Sequence, residues 1–230
     1  MELFFAQVKD KIVRLSQEES KHCIKVLRHR KEDMIFIIDG LGSMYEAKII
    51  SPDSKATLLE IIKEHKNFGL VPYDLTISLP PLKNNSRYEW FIEKATEIGI
   101  TEVLPVLTKY TEKTKLRYER LEKILISSIK QSLRARLPLL SEPVEFKTIL
   151  KLDKEQKFIA LCDSSDALID IYQKGRSTII LIGPEGGFSK EERKMAIEHG
   201  FRPVKIGNSR LRAETAAIVS VAIISNLNIH

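Results

Sequence analysis

The sequence predicts an α/β protein in two parts, a small β-barrel over residues 1–69 and an α/β domain with a buried parallel sheet over residues 73–230. Three observations carry this. Short runs rich in β-branched and aromatic residues fill the first part, with one helical stretch among them. Beyond a Gly- and Pro-containing break, strands alternate with amphipathic helices. Six of the ten glycines fall between Gly175 and Gly207, clustered where apolar runs end.

In the first part, strands are expected at Phe4–Ala6, Lys11–Leu15, Met34–Asp39, Met44–Ile50 and Thr57–Ile62. Asp39-Gly40-Leu41-Gly42 joins two of them as a hairpin, because glycine accepts positive φ. Ser16-Gln17-Glu18-Glu19 reads as a capping box that opens a helix from about Gln17 to Val26. Several short strands with one helix suggest the barrel. Apolar periodicity stops at His65–Pro72, the expected linker.

The second part opens with a strand over Asp74–Leu79 and a capping box at Ser86-Arg87-Tyr88-Glu89. Tyr88, Phe91, Ile92, Ala95 and Ile98 then line one face of a helix that stops at Gly99. Thr101–Leu107 reads as a strand despite Pro105, which suits an edge or a strand end. A long helix is expected from about Arg117 to Arg136, ahead of Pro138. Phe158–Cys162 and Thr178–Ile182 are continuous apolar runs of the buried, parallel kind. Ser189-Lys190-Glu191-Glu192 caps a helix that ends at Gly200; a strand near Pro203–Ile206 and a helix over Ala213–Leu227 follow.

Composition narrows the function. The longest nearly unbroken apolar stretch, Ala216–Ile224, is nine residues and holds Ser220, whereas a membrane span takes about 20. The first residues show no basic leader before an apolar run, so a cytoplasmic protein is expected. Cys23 and Cys162 lie far apart without a CxxC partner, which argues against a disulfide framework or a metal site. His22 and His29 likewise have no metal-type partner nearby in sequence. The net charge is +6. Lys109 to Arg136 alone carries nine basic residues against three glutamates, which accounts for the whole surplus. Lys21 to Lys31 adds five bases without an acid. One such run is more often a solvated helix face; two separate ones are what a protein tracking a phosphate backbone needs. Arg28, Arg30, Arg117, Lys123, Arg134 and Arg136 are the candidate contacts to such a backbone, which the resemblance described below implies is RNA.

Two glycine clusters hold the candidate chemistry. Gly183-Pro184-Glu185-Gly186-Gly187-Phe188-Ser189 joins the end of a buried strand to a helix start, the position where open α/β sheets bind ligands. Its glycines expose backbone groups, although a plain βα turn would use glycine too. It matches neither GxxxxGK[ST] nor GxGxxG, so it is no nucleoside-triphosphate cradle. The second cluster, Ile206-Gly207-Asn208-Ser209-Arg210-Leu211-Arg212-Ala213-Glu214, repeats the arrangement and adds charge. Glu214 suits a helix N-terminus, but two arginines there are disfavoured by the helix dipole, which points to an anion at this turn.

Gly183–Ser189 together with Leu211-Arg212-Ala213-Glu214-Thr215-Ala216 resembles the bacterial 16S ribosomal RNA uracil-N3 methyltransferases of the SPOUT superfamily. The resemblance spans nearly the whole chain. His22 with Val26-Leu27-Arg28, Asp39-Gly40 and Tyr45 look like the family's PUA-like RNA-binding barrel. Lys83, Lys94-Ala95-Thr96-Glu97-Ile98-Gly99, Pro105, Gln131-Ser132, Arg134 and Pro138 follow in the family's order. The chain departs from the common pattern at Leu133, where glycine is usual, at Ser209-Arg210, and at Ala213, where threonine is usual.

The resemblance implies a C-terminal trefoil knot and S-adenosylmethionine (SAM) held by three loops. The residues so implied are Leu161, Ile182, Gly183, Glu185, Gly186, Gly187, Ile206, Gly207 and Leu211. It implies methyl transfer to uracil N3, with Arg212 stabilising the uracil anion and Glu214 or Glu185 as base or orienting group. No metal takes part. The partners implied are 16S ribosomal RNA or the small ribosomal subunit and a second copy of the chain, with Ala216–Ile224 packing in the core and against that copy. Two other readings stay open: a SPOUT enzyme acting on a ribose 2′-hydroxyl of transfer RNA, and an RNA-binding protein without catalysis. The intact glycine loop and Arg212-Ala213-Glu214 favour an enzyme over the latter.

Overall fold

A computed structural model describes residues 1–229. The chain divides into two compact units, one of Met1–Leu70 with Ile126–Leu137 and one of Val71–Leu125 with the chain from Pro138 onward. The division is therefore not a single cut. A twelve-residue segment from the middle of the chain belongs with the N-terminal unit.

The first unit holds β1 (Leu3–Phe5), β2 (Ile12–Arg14), α1 (Gln17–Lys21), β3 (Met34–Ile38), β4 (Met44–Ser51) and β5 (Leu58–His65). They form one sheet in the order β1-β3-β4-β5-β2, antiparallel except for the β1–β3 pair. Its ladder stays open between β1 and β2, so the expected barrel is not closed by hydrogen bonds. Alternation explains the strands: in β4, Ala47 and Ile49 point into the core while Glu46 and Lys48 do not. The core gathers Phe4, Leu15, Cys23, Ile37, Ile49 and Leu59. Ser16 caps α1 by accepting the Glu19 N–H at 3.2 Å, and the helix continues to Val26 as a π-helical turn over His22–Val26. Ile129 and Ala135 join Leu3, Ile38 and Met44 in a second cluster, and Lys130 pairs with Glu19 at 2.6 Å.

The second unit is built on β6 (Leu75–Ser78), α2 (Asn85–Ile98), β7 (Glu102–Val103), β8 (Val106–Leu107), α3 (Tyr118–Gln131), β9 (Leu139–Leu140), β10 (Val144–Glu145), α4 (Phe146–Leu150), β11 (Gln156–Ala160), α5 (Leu168–Ile171), β12 (Thr178–Leu181), α6 (Lys190–Glu198), β13 (Arg202–Val204) and α7 (Ala213–Leu227). The later half of α3 counts with the first unit. Six strands make an all-parallel sheet in the order β13-β11-β12-β6-β7-β9. The central β6 and β12 are buried at every position, as strands covered on both faces are, with Thr76 and Ser78 the polar residues buried in β6. α7 packs against α2, with Ser225 Oγ donating to the Ile98 carbonyl at 3.3 Å.

Four expectations are corrected. The strand over 101–107 is two short strands, because Pro105 has no N–H to continue the ladder; its carbonyl instead accepts the Val144 N–H at 2.9 Å. The cap of α2 is Asn84, whose Oδ1 accepts the Ser86 N–H at 2.8 Å, while Glu89 pairs with Arg120 instead of closing a box on Ser86. α3 ends at Gln131, not near Arg136. Leu133 adopts φ +54°, the Arg134 N–H reaches the Ile129 carbonyl at 2.9 Å and the Leu133 N–H that of Lys130 at 3.4 Å, a Schellman termination. The strand after Gly200 is Arg202–Val204, ending before Ile206. No helix among the described residues is long and apolar enough to cross a membrane.

Candidate active site

Strands β11, β12 and β13 are adjacent and parallel, so their carboxyl ends send loops 161–163, 182–188 and 206–212 to the same edge of the sheet. These loops enclose a cavity of about 720 Å³. Leu161, Ile182, Gly183, Glu185, Gly186, Gly187, Ile206, Gly207 and Leu211 all line it, as do Arg212 and Glu214. Residues spread over some fifty positions of sequence thus meet in one place.

Each loop is held by contacts that explain its residue types. In the second, a Cβ on Gly183 would stand 3.2 Å from the backbone of Gly187, and Gly187 itself has φ +71°. A side chain at Gly183 would need the Gly187 backbone to give by a few tenths of an ångström, and the positive φ of Gly187 favours glycine. Phe188 is buried against Phe146, with ring centroids 5.9 Å apart. Ser189 and Glu192 form the expected capping box: Ser189 Oγ accepts the Glu192 N–H at 3.2 Å, and Glu192 Oε2 accepts the Ser189 N–H at 2.8 Å. The other oxygen of Glu192 accepts the Lys109 N–H at 2.8 Å. That bond draws the segment bearing Tyr110 against Gly186, where a Cβ would come within 3.2 Å of the Tyr110 Cβ.

The first loop is tied to α6 through Asp163 and Arg193, whose carboxylate and guanidinium are 3.0 Å apart. In the third, Arg212 is the N-cap of α7: its carbonyl accepts the Ala216 N–H at 2.8 Å and its side chain stays exposed without a capping bond. Glu214 in the first turn is buried, and Arg87 Nε lies 3.6 Å from its Oε1. Arg87 also lines the cavity. In the sequence Arg87 stands only as a first-turn residue of a helix, and no local pattern links it to Glu214. Glu185 is exposed and makes no ion pair among the described residues.

The candidate RNA contacts fall in both units. Arg28 (φ +61°) and Arg30 are exposed on the first, as is Arg136, whose Nε donates to the Leu41 carbonyl at 3.3 Å. Arg134 is half-buried and donates to the Gly69 carbonyl at 3.5 Å. Arg134 and Arg136 therefore also hold local backbone. Arg117 and Lys123 are exposed on the second unit. Among the described residues no group of three or more His, Cys, Asp or Glu could hold a metal ion.

The chain is similar in sequence and fold to known proteins. An RNA methyltransferase domain family matches residues 70–225, and an RNA methyltransferase PUA domain family matches residues 15–62. The chain is 31% identical to ribosomal RNA small subunit methyltransferase E of Synechocystis, over 96% of this chain and 75% of that relative. It superposes on a probable rRNA-methyltransferase from Porphyromonas gingivalis with a TM-score of 0.94 and 34% identity, covering 99% of this chain and 98% of the other. With ribosomal RNA small subunit methyltransferase E from Neisseria gonorrhoeae, solved with bound S-adenosyl methionine, the TM-score is 0.89 and the identity 27%, over 99% and 98% of the two chains. The chain belongs to the ribosomal RNA small subunit methyltransferase E family, with an N-terminal PUA domain and a C-terminal RNA methyltransferase domain.

Proposed function

We infer that this chain transfers the methyl group of SAM to N3 of a uridine in the 16S ribosomal RNA of the small subunit. The observation that carries this is the cavity at the carboxyl ends of β11, β12 and β13 in a chain of this family. Its chemistry suits SAM. Leu161, Ile182 and Leu211 offer apolar walls for an adenine, and glycines bring backbone close to it. Among the described residues, the N–H groups of Ile206, Gly207 and Leu211 donate to no protein acceptor, which leaves them for a ligand.

SAM supplies an already activated methyl group on a sulfonium. The remaining work belongs to the protein: to align N3 with that methyl and to ease removal of the N3 proton. Arg212, exposed at the cavity, supplies a cation toward the negative charge that spreads onto the uracil oxygens as the proton leaves. Glu185 lines the cavity, is exposed and has no ion-pair partner among the described residues, which supports it over Glu214 as the base that accepts that proton. Glu214 is engaged with Arg87 and acts as an orienting group. The N3 lone pair then bonds to the methyl carbon, and the carbon–sulfur electrons return to sulfur, leaving S-adenosylhomocysteine.

Residues 1–69 act as the RNA-binding part and residues 73–230 as the methyltransferase part, in the cytoplasm. The SPOUT fold of the family includes a trefoil knot, which the C-terminal region from β12 through α7 would form. Half-buried apolar residues Ile218, Val219 and Ile223 on α7 support a homodimer, since a face of this kind needs a partner to cover it. The deciding experiment incubates the protein and SAM with small subunits from a strain lacking the homologous enzyme and identifies the product nucleoside by mass spectrometry. 3-Methyluridine is expected. A 2′-O-methyl nucleoside, or modification of transfer RNA alone, overturns the reading.

A further inference from the structure

A second cavity, shallow and open, lies at the start of α2 and is lined by Lys83, Asn85, Ser86, Glu89, Arg117 and Arg120. Asn85 and Ser86 face it, and the next residue, Arg87, lines the cavity of the three loops. One short stretch of chain is thus a wall common to both.

The charge around this second cavity is cationic and comes from side chains of three separate segments. Lys83 lies within 3.0 Å of Glu112, Arg120 within 3.5 Å of Glu89, and Lys113 contacts the Asn85 side chain. Arg117 is exposed and makes no ion pair among the described residues. Four cations therefore meet two carboxylates. Arg117 and Arg120 also flank the start of α3, where the helix dipole disfavours a cation. A placement that works against local electrostatics is explained by an anionic ligand. The hydrogen bond to Glu112, and beyond it the charge of Glu185, hold the Lys83 ammonium above its usual range, so it stays protonated.

We propose that this cavity is a phosphodiester subsite, holding the RNA backbone phosphate that flanks the uridine whose base enters the cavity of the three loops. The inference rests on the reading of the chain as a uridine methyltransferase. A base reaches a deep site only when it is turned out of its stack, and its own phosphates then remain one nucleotide away at the mouth. A cationic cavity sharing a wall with the catalytic one is where such a phosphate would sit. Lys and Arg side chains from different segments would fix its position and carry no base preference.

The test uses the full chain with S-adenosylhomocysteine present and compares uridine 3′,5′-bisphosphate with uridine by NMR titration. The bisphosphate is expected to bind about tenfold more tightly to the unaltered protein, the size of one charge-assisted phosphate contact. In Lys83→Gln/Arg117→Gln that advantage should vanish while the SAM dissociation constant stays within twofold, which also shows that the variant is folded. A Lys151→Gln/Lys194→Gln variant removes the same net charge elsewhere and should keep the advantage. No phosphate advantage in the unaltered protein, or an equal loss in both variants, overturns the proposal. If the bisphosphate binds as expected but small subunits gain no 3-methyluridine, the subsite stands and the reading of the reaction falls.

Discussion

Arg87 and Glu214 form an ion pair in the wall of the cavity, with Nε 3.6 Å from Oε1, the carboxylate buried and the guanidinium partly exposed. The pair joins the first turn of α2 to the first turn of α7. Arg87→Gln leaves a buried carboxylate without its cation and should destabilise the protein by about 1–3 kcal/mol. Glu214→Gln removes the charge itself and should be milder. A double-mutant cycle in denaturant is expected to give a coupling of about 1 kcal/mol or more; additive effects would show that the two residues do not act together.

Arg212 occupies the cap of α7 without a side-chain capping bond, so its replacement removes charge from the cavity and no structural contact. Arg212→Ala is expected to lower kcat by about 10²–10³, the scale of losing one group that stabilises a developing anion. The SAM dissociation constant should stay within twofold by calorimetry. Loss of SAM binding in parallel would make Arg212 a cofactor contact instead.

Gly183 faces the Gly187 backbone so closely that an added Cβ would sit 3.2 Å from two of its atoms and from the Phe188 ring. Gly183→Ala must push the loop apart, at about 1–3 kcal/mol. Because the strain falls on the cavity wall, SAM affinity should drop by about tenfold or more. An unchanged affinity would show that the loop yields without moving the site.

Leu133 ends α3 in a left-handed conformation that L side chains disfavour by about 1–2 kcal/mol, in the position where helices commonly carry glycine. Leu133→Gly relieves that strain and loses part of the gain to the greater freedom of glycine in the unfolded chain. A net stabilisation of about 0.5–1 kcal/mol is expected, read as a higher denaturant midpoint at unchanged slope. Gly69→Ala should act oppositely, since Gly69 has φ +64° and its Cβ would meet the Leu133 carbonyl oxygen at 2.5 Å.

Cys23 is buried, and burial, followed by the charges of Glu19, Asp33 and Glu2, pushes its thiol up to about 11. The folded value lies above that of a solvated thiol. The contribution to stability is therefore complete below about pH 8.5 and is lost as pH rises through about 11. Thiol titration at pH 8 should find one reactive cysteine, the exposed Cys162, in the native protein and two after unfolding. Cys23→Ala should flatten the alkaline fall in stability. Two fast thiols in the native state would contradict the burial.

The alternation of strands and helices, the capping box at Ser189, the bounds of α7 and both glycine loops were legible in the sequence. Each depends on residues within a few positions of one another: a hydroxyl three residues before a carboxylate, a glycine where the backbone turns back on itself. The family was legible for the same reason, because its motifs are those loops. The split at Pro105 and the end of α3 at Leu133 were not, since a proline fits a strand end as well as a break and leucine gives no sign of positive φ. Nor were the short β10, α4 and α5, which are too brief to show a period.

By itself, then, the sequence determined the local frame of the catalytic unit: where strands stop, where glycines turn the chain and which loops carry charge. Only the tertiary structure decided which charges act together. Arg87 meets Glu214 across more than a hundred residues, Glu192 takes the N–H of Lys109, and residues 126–137 join the N-terminal unit. Such pairings arise from the order in which parallel strands assemble and from the helices packed on them, and no periodicity along the chain encodes that order.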